Sequence, residues 1–257
     1  MIEPPSRPAA CRHHLRLPAA ARRAGGLVVV LALCLSSRPG AAETWRQFVT
    51  SLGPPGPPDA VLDYLKHDQL VLSTPKPKFS TIRTETVDGT VAQSFRLTGF
   101  DGGFGHVEGM REERTEGNRR SGAQAVSMVT ALAGLVLVSF DNKTTGASVY
   151  LRKIELSGAL LPPRAGRTLA MRYERVQRAA DVVVEEVQDC TLEWTEPDAA
   201  APLLESRCTG STRITQPTAD GNTKAATSPA NATQTFVFRP DLGWIFNQQT
   251  RVLETTP

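Results

Sequence analysis

The sequence predicts a mainly β protein: an antiparallel curled sheet, as an open barrel or a sandwich, with a short helical segment before it. Alternating β-branched residues fill stretches such as 181–194, which is typical of strands. Asp88-Gly89 separates two further alternating stretches, as a hairpin turn does. Helical spacing of apolar residues is found in 43–70. We therefore predict a signal peptide over 1–42, a helical segment with a proline-rich spacer over 43–72, and a single antiparallel β-domain over 73–257.

The first 42 residues have the layout of an export signal. Five arginines between Arg7 and Arg23 precede the apolar run Leu27–Leu35, and the small residues Gly40, Ala41 and Ala42 offer a cleavage site. The apolar run is too short to cross a bilayer core of about 30 Å as a helix. We expect the mature chain to be periplasmic or secreted, with no transmembrane span.

Charge counts argue against a nucleic-acid partner. Of 29 basic and 26 acidic residues, six Arg and Glu3 lie in 1–42, which leaves 23 basic and 25 acidic residues in the remainder. The net charge of the remainder is about −2, so the basic balance of the whole chain comes from the export segment. A basic surface for nucleic acid is not predicted.

Two short helices are predicted before the sheet. Residues 43–52 place apolar side chains at helical spacing, and Gly53–Pro58 ends that helix with a stiff, extended spacer. Asp59 is a candidate N-cap for a second helix that reaches Leu70. Its apolar side is formed by Val61, Leu62, Leu65 and Leu70.

The next stretches predict strands joined by turns. Phe79–Val87 and Thr90–Leu97 form the hairpin around Asp88-Gly89, and the glycine-rich stretch 99–109 leads into a charged strand, His106–Thr115. Residues 99–105 also suggest a phosphate-binding loop. They lack the Lys-Ser/Thr of a P-loop and the GxGxxG spacing, so a strand-joining turn is preferred. A further turn is predicted at Glu116–Arg120.

Residues 125–140 are the most apolar stretch after the export segment. Helix, strand and membrane association all remain open for it. We prefer a short helix or turn as far as Ala133, followed by a buried strand, Leu135–Phe140. A loop and a returning strand, Ala147–Leu156, come next.

Cys190 and Cys208 are the only cysteines after residue 42, and an even pair in an exported chain favours a disulfide. They lie in two of the predicted strands, which cover 167–176, 181–194 and 203–210. If the second and third strands pair with the cysteines opposed, Trp194 faces Leu204. By the same register, Leu192 faces Ser206 and Gln188 faces Gly210.

The C-terminal part is predicted as a loop and two strands. Gln216–Ala232 is rich in Thr, Asn, Ala and Pro, which favours a loop. Thr233–Arg239 and Trp244–Leu253 are strands separated by a turn at Pro240–Gly243.

Three short motifs carry a family resemblance: Pro162–Gly166 before a strand with Tyr173, a cysteine in the next long strand, and Phe238–Trp244 before the final strand. Residues 160–257 thereby resemble TapB-like and other uncharacterised exported bacterial β-domain proteins. The resemblance implies a curled antiparallel sheet and an envelope location. It implies no catalytic residues.

No catalytic, cofactor-binding or metal-binding set is predicted. His67 and His106 are isolated, and no Gly-x-Ser-x-Gly motif occurs. We therefore expect a non-enzymatic exported protein with a binding or scaffolding role in the cell envelope, whose partner is an envelope protein or an apolar ligand. Two alternatives stay open: an interaction module that uses an exposed sheet edge, and a carboxylate-dependent hydrolase. The candidate carboxylates for the hydrolase are Glu108, Glu112, Glu113, Glu185, Glu186 and Glu193.

Overall fold

The described part of the chain forms one antiparallel sheet of thirteen strands and two short helices. In a computed structural model, this part comprises residues 43–68, 70, 73–87, 89, 92–114 and 120–257. The predicted export segment, Asp88 and residues 116–119 lie outside it. The elements are α1 Trp45–Ser51, α2 Asp59–Lys66, β1 Thr81–Thr86, β2 Ala92–Asp101, β3 Phe104–Arg114, β4 Arg120–Leu132, β5 Val136–Asn142, β6 Ser148–Gly158, β7 Thr168–Ala179, β8 Val182–Glu196, β9 Leu203–Pro217, β10 Thr223–Pro229, β11 Ala232–Arg239, β12 Trp244–Asn247 and β13 Thr250–Thr256.

The sheet curls until its two ends meet, which makes it barrel-like and nearly closed. The strand order runs β12-β11-β9-β8-β7-β6-β5-β4-β3-β2-β1-β13, with β10 beside β9. Strands β12 and β13 stand at opposite ends of this order, yet only Gln248 and Gln249 separate them in the chain. At this junction the Gln248 N–H donates to the Thr235 carbonyl (2.9 Å), and the Val87 N–H donates to the Gln249 carbonyl (2.8 Å). The predicted curled antiparallel sheet is confirmed.

The two helices lie on opposite faces of the sheet. Helix α1 buries Phe48 against Tyr150, Val176 and Val183 on the outer face. Helix α2 buries Val61 and Leu65 in the main interior cluster. Tyr150 beside α1 and Leu151 in the main interior cluster are neighbours on β6, so their side chains point to opposite faces of the sheet. Arg178 Nη1 fixes the spacer between the helices through a hydrogen bond to the Gly53 carbonyl (2.9 Å).

A gap in the sheet explains the position of α2. Strands β5 and β6 pair only at Ser139–Asp141 with Ser148–Tyr150, although β6 continues to Gly158. Tyr64 of α2 takes the place of a partner strand in the unpaired part. Its hydroxyl accepts a hydrogen bond from the Leu156 N–H (2.8 Å) and donates to the Leu156 carbonyl (3.2 Å). The helix therefore satisfies backbone groups that a strand would otherwise pair.

The Tyr64 hydroxyl should contribute measurably to stability. We expect Tyr64→Phe to lower the free energy of unfolding by about 1 kcal/mol, because two hydrogen bonds to the backbone are lost. The matched control is Tyr150→Phe, since the buried Tyr150 hydroxyl has no partner among the described residues. That change should be neutral or stabilising. Urea unfolding of both variants measures the difference, and equal effects would contradict this role of Tyr64.

Several sequence predictions are confirmed. Cys190 faces Cys208, and the pairs Trp194–Leu204, Leu192–Ser206 and Gln188–Gly210 follow the expected register. The first hairpin pairs Glu85 with Ala92, which agrees with a turn at residues 88 and 89. The glycine-rich stretch contains a strand-joining turn at Gly102-Gly103, as preferred.

Three predicted elements are wrong. Residues 125–132 belong to strand β4 rather than a helix, because their backbone pairs with β3 on one side and with β5 on the other. The predicted loop Gln216–Ala232 contains the end of β9 and all of β10, an exposed strand whose polar composition reflects its solvation. Residues Trp244–Leu253 are two strands, since β12 pairs with β11 and β13 pairs with β1.

The start of the second helix also differs from the prediction. Pro58, not Asp59, occupies the N-cap position and makes no side-chain hydrogen bond there. Asp59 is the first helical residue, where its negative charge lies near the N-terminal end of the helix.

Candidate functional site: two cavities inside the curled sheet

The larger of two pockets in the curled sheet is partly open to solvent and lies between β12 and the inner faces of β1–β5. We call it the Trp244 cavity, and its volume is about 290 Å³. Its wall is mainly apolar, with a few amide and hydroxyl groups. The side chains that define it are Phe95, Val107, Val129, Ala131, Leu135, Leu137, Trp244, Ile245 and Phe246, with Thr84, Gln93, Asn247 and Thr250 as the polar members. This composition is typical of small-molecule sites.

Two glycines fix the Trp244 ring at this cavity. A Cβ atom at Gly105 would lie 2.5 Å from Trp244 Cη2, and one at Gly134 would lie 2.3 Å from Trp244 Nε1. Gly134 also has a positive φ of 77°. The indole ring therefore fits only because both positions lack a side chain. Phe79 supports the ring edge-on, with ring centroids 5.9 Å apart.

A second cavity lies next to the first. We call it the Tyr173 cavity; its volume is about 110 Å³, and it shares Leu135 and Leu137 with the Trp244 cavity. Val136 of β5 also lines it, and its remaining side chains come from β6–β9 and β11. They are Leu151, Met171, Tyr173, Arg175, Leu192, Ser206, Cys208, Gln234 and Phe236.

Polar side chains gather at one end of the Tyr173 cavity. The inner polar cluster consists of Tyr173, Arg175, Glu186 and Gln188. Arg175 faces Glu186 across β7 and β8, and Tyr173 faces Gln188 in the same way. Arg175 donates to Glu186 Oε2 through Nε (3.0 Å) and through Nη2. Gln188 Nε2 donates to Glu186 Oε1 (3.1 Å), and the Tyr173 hydroxyl lies 3.5 Å from the same oxygen.

The exposed fraction of the side chains decreases along the inner polar cluster, from Arg175 to Gln188. The Arg175 side chain is 35% exposed and the Glu186 side chain is 19% exposed, whereas Gln188 is 2% exposed. Gln188 Oε1 has no hydrogen-bond partner among the described residues. The cluster therefore connects solvent with the apolar interior.

Tyr173 remains a hydrogen-bond donor over a wide pH range. Burial raises the pKa of its phenol above the ordinary value, the Arg175 charge opposes this, and the Glu186 carboxylate raises the pKa further. The Arg175 guanidinium also lies over the Tyr173 ring, 5.6 Å from its centroid. At a pH at which a carboxyl group is ionised, the Tyr173 phenol is therefore still neutral.

The predicted disulfide is confirmed, and it forms part of the cavity wall. Cys190 and Cys208 are bonded, with Cα atoms 4.0 Å apart. Cys190 is buried in the interior cluster, and Cys208 lines the Tyr173 cavity.

Among the candidate carboxylates, Glu108, Glu185 and Glu186 lie in separate ion pairs. The side chains of Glu112 and Glu113 lie outside the described part of the structure. Glu185 pairs with Arg152 (3.1 Å) on the outer face, whereas its neighbour Glu186 pairs with Arg175 inside. Glu108 pairs with Arg96 and, at 3.9 Å, with Lys143. No Asp or Glu among the described residues lines either cavity. In the same part of the chain, no three His, Cys, Asp or Glu side chains form a group that could hold a metal ion.

The outer face of β6–β9 carries an open depression of about 850 Å³. Its residues include Leu156 and Met171 beside small and charged ones, and each charged side chain has a partner in an ion pair. Arg172 lies 3.8 Å from Asp189, and Lys153 lies 2.7 Å from Glu155. This surface has the character of a solvated sheet face, so the interior cavities are the better candidate site.

Neither helix described for this chain has the length and hydropathy needed to cross a membrane. Comparison with protein-family models, curated proteins and solved structures gave no match. The resemblance to TapB-like exported β-domains therefore stays a prediction.

Proposed function

We propose that this protein is exported and binds an apolar ligand inside its curled sheet, without catalysing a reaction. The observation that carries the proposal is the Trp244 cavity of about 290 Å³, whose wall is mainly apolar. A cavity of this size, placed against glycines that seat an indole ring, is consistent with a ligand site.

Two further observations support the proposed export. The Cys190–Cys208 bond is compatible with an oxidising environment outside the cytoplasm. The basic and apolar pattern of residues 1–42 points to the same location. The hydrolase alternative needs two carboxyl groups around one bond, and no acidic side chain in the described part of the chain lines either cavity.

Titration with the fluorescent probe N-phenylnaphthylamine tests the proposal. We expect saturable binding to the wild-type protein and about tenfold weaker binding to Ala131→Leu. Ala131 is 7% exposed and lines the Trp244 cavity, so a leucine there fills part of the space. Fluorescence against probe concentration gives both dissociation constants.

The matched control is Ala170→Leu, because Ala170 is exposed on the outer face of β7. This variant should bind the probe as the wild-type protein does. Thermal unfolding of all three proteins shows whether the folded fraction is the same. An absence of saturable binding to the wild-type protein, or equal affinity in Ala131→Leu, would overturn the proposed function.

A further inference from the structure

We propose that the ligand is a single-chain amphiphile with an anionic head group, and that Arg175 binds this head group. The inference rests on the proposed function, since it assumes that an alkyl chain occupies the interior. What it adds is the chemical class of the ligand and its direction. The chain lies among Leu135, Leu137 and Phe236, and the head group lies at the partly exposed end of the Tyr173 cavity.

The lining of the cavity sets the sign of the head group. Arg175 and Tyr173 line the Tyr173 cavity, whereas Glu186 does not. A ligand in the cavity therefore meets a guanidinium group and a phenol, both of which donate hydrogen bonds. These groups complement a carboxylate, sulfate or phosphate oxygen.

The Glu186 carboxylate already accepts hydrogen bonds from side chains of the protein. Its two oxygen atoms accept hydrogen bonds from Arg175 and Gln188, and the Tyr173 hydroxyl lies near one of them. Because the carboxylate already accepts these hydrogen bonds, a cationic ligand would gain little by binding to it. Arg175 uses Nε and Nη2 for this pair, so Nη1 can serve a second acceptor.

The gradient of exposure sets the direction of the ligand. Arg175 has a side chain that is 35% exposed, whereas Leu192, deeper in the same cavity, is 1% exposed. An amphiphile placed the other way round would bury its charge among leucines without a partner, which is strongly unfavourable.

Three ligands that share one alkyl chain test the inference: dodecanoate, dodecanol and dodecylammonium. Each displaces N-phenylnaphthylamine from the protein at mildly alkaline pH, where the carboxylate and the ammonium are both charged. We expect dodecanoate to bind about tenfold more tightly than dodecylammonium, which is the effect of one hydrogen bond between charged groups.

Three variants separate the head group from the chain. Glu186→Gln should strengthen the preference for dodecanoate, because Arg175 loses its counter-charge. The double variant Arg175→Gln/Glu186→Gln should abolish the preference for dodecanoate, whatever its effect on the affinity for N-phenylnaphthylamine. The matched control is Arg152→Gln/Glu185→Gln, which removes the neighbouring pair on the outer face and should change neither value.

The outcomes distinguish the two proposals. If the probe binds but dodecanoate and dodecylammonium displace it equally, the inference about the head group is overturned and the proposed function stands. A preference that survives in Arg175→Gln/Glu186→Gln would also overturn it. If the probe does not bind to the wild-type protein, the proposed function is overturned, and the inference that rests on it falls with it.

Discussion

Replacement of Trp194 by alanine should lower the free energy of unfolding by about 3–5 kcal/mol. The side chain is 3% exposed and belongs to the main interior cluster. Its Nε1 donates a hydrogen bond to the Leu160 carbonyl (2.7 Å), and its ring packs edge-on against Phe238 with centroids 6.2 Å apart. The alanine variant loses apolar contacts, leaves a void and deprives a carbonyl of its donor. Urea unfolding followed by circular dichroism gives the value.

Trp194→Phe is the control for this prediction. Phenylalanine keeps most of the apolar contact but cannot donate to Leu160, so we expect a smaller loss of about 1–2 kcal/mol. A loss below about 1 kcal/mol in the alanine variant would contradict a central position of Trp194 in the core.

Removal of the disulfide should have the next largest effect. We expect Cys190→Ala/Cys208→Ala to lower the free energy of unfolding by roughly 3 kcal/mol, because the cross-link restricts the unfolded chain. The two cysteines are 18 residues apart, and the residue pairs between them in β8 and β9 follow one antiparallel register as far as Trp194–Leu204, beyond which the register shifts. The folded sheet should therefore survive the loss of the bond. Urea unfolding of oxidised wild-type and variant proteins measures the loss.

Reduced wild-type protein is the control for the disulfide prediction. Dithiothreitol should bring its unfolding midpoint close to that of Cys190→Ala/Cys208→Ala, since both lack the same cross-link. An unchanged midpoint in the double variant would show that β8 and β9 hold the loop closed without the bond. The prediction would then be wrong.

The fold could be predicted from the sequence wherever a local residue pattern determined how two strands pair. The cysteine pair alone aligned β8 with β9 over the pairs from Gln188 to Trp194. Asp88-Gly89 aligned β1 with β2 in the same way. Proline and glycine runs separated the helices from each other and from the sheet.

Long-range pairing produced the errors. Residues 125–132 alternate poorly because small and apolar side chains occur on both faces of β4, so the period of a strand is weak. Strand β10 lies at an edge and is almost wholly exposed, so its composition matches that of a loop. Residues 244–253 divide into β12 and β13 because the two ends of the sheet meet there. No local residue pattern predicts that the ends meet.

The candidate site was not predicted from the sequence. Arg175 and Glu186 are opposed only because Ala179 pairs with Val182 at a short turn between β7 and β8. A two-residue turn at 180 and 181 would have given this register, but no Asn-Gly or Asp-Gly marks it. The Trp244 cavity joins residues from β1–β5 with β12, and such a combination follows only from the closed sheet.

The junction of β12 and β13 has a consequence for how the molecule is made. Thr81 pairs with Thr256, so β1 acquires its second neighbour from a residue 175 positions further along the chain. Contacts between such distant positions slow folding, because a large loop must be ordered before they form. Ribosomes release residues 250–256 long after β1 has emerged. We therefore expect a nascent polypeptide to stay incompletely folded until these residues are free to complete the ring of strands.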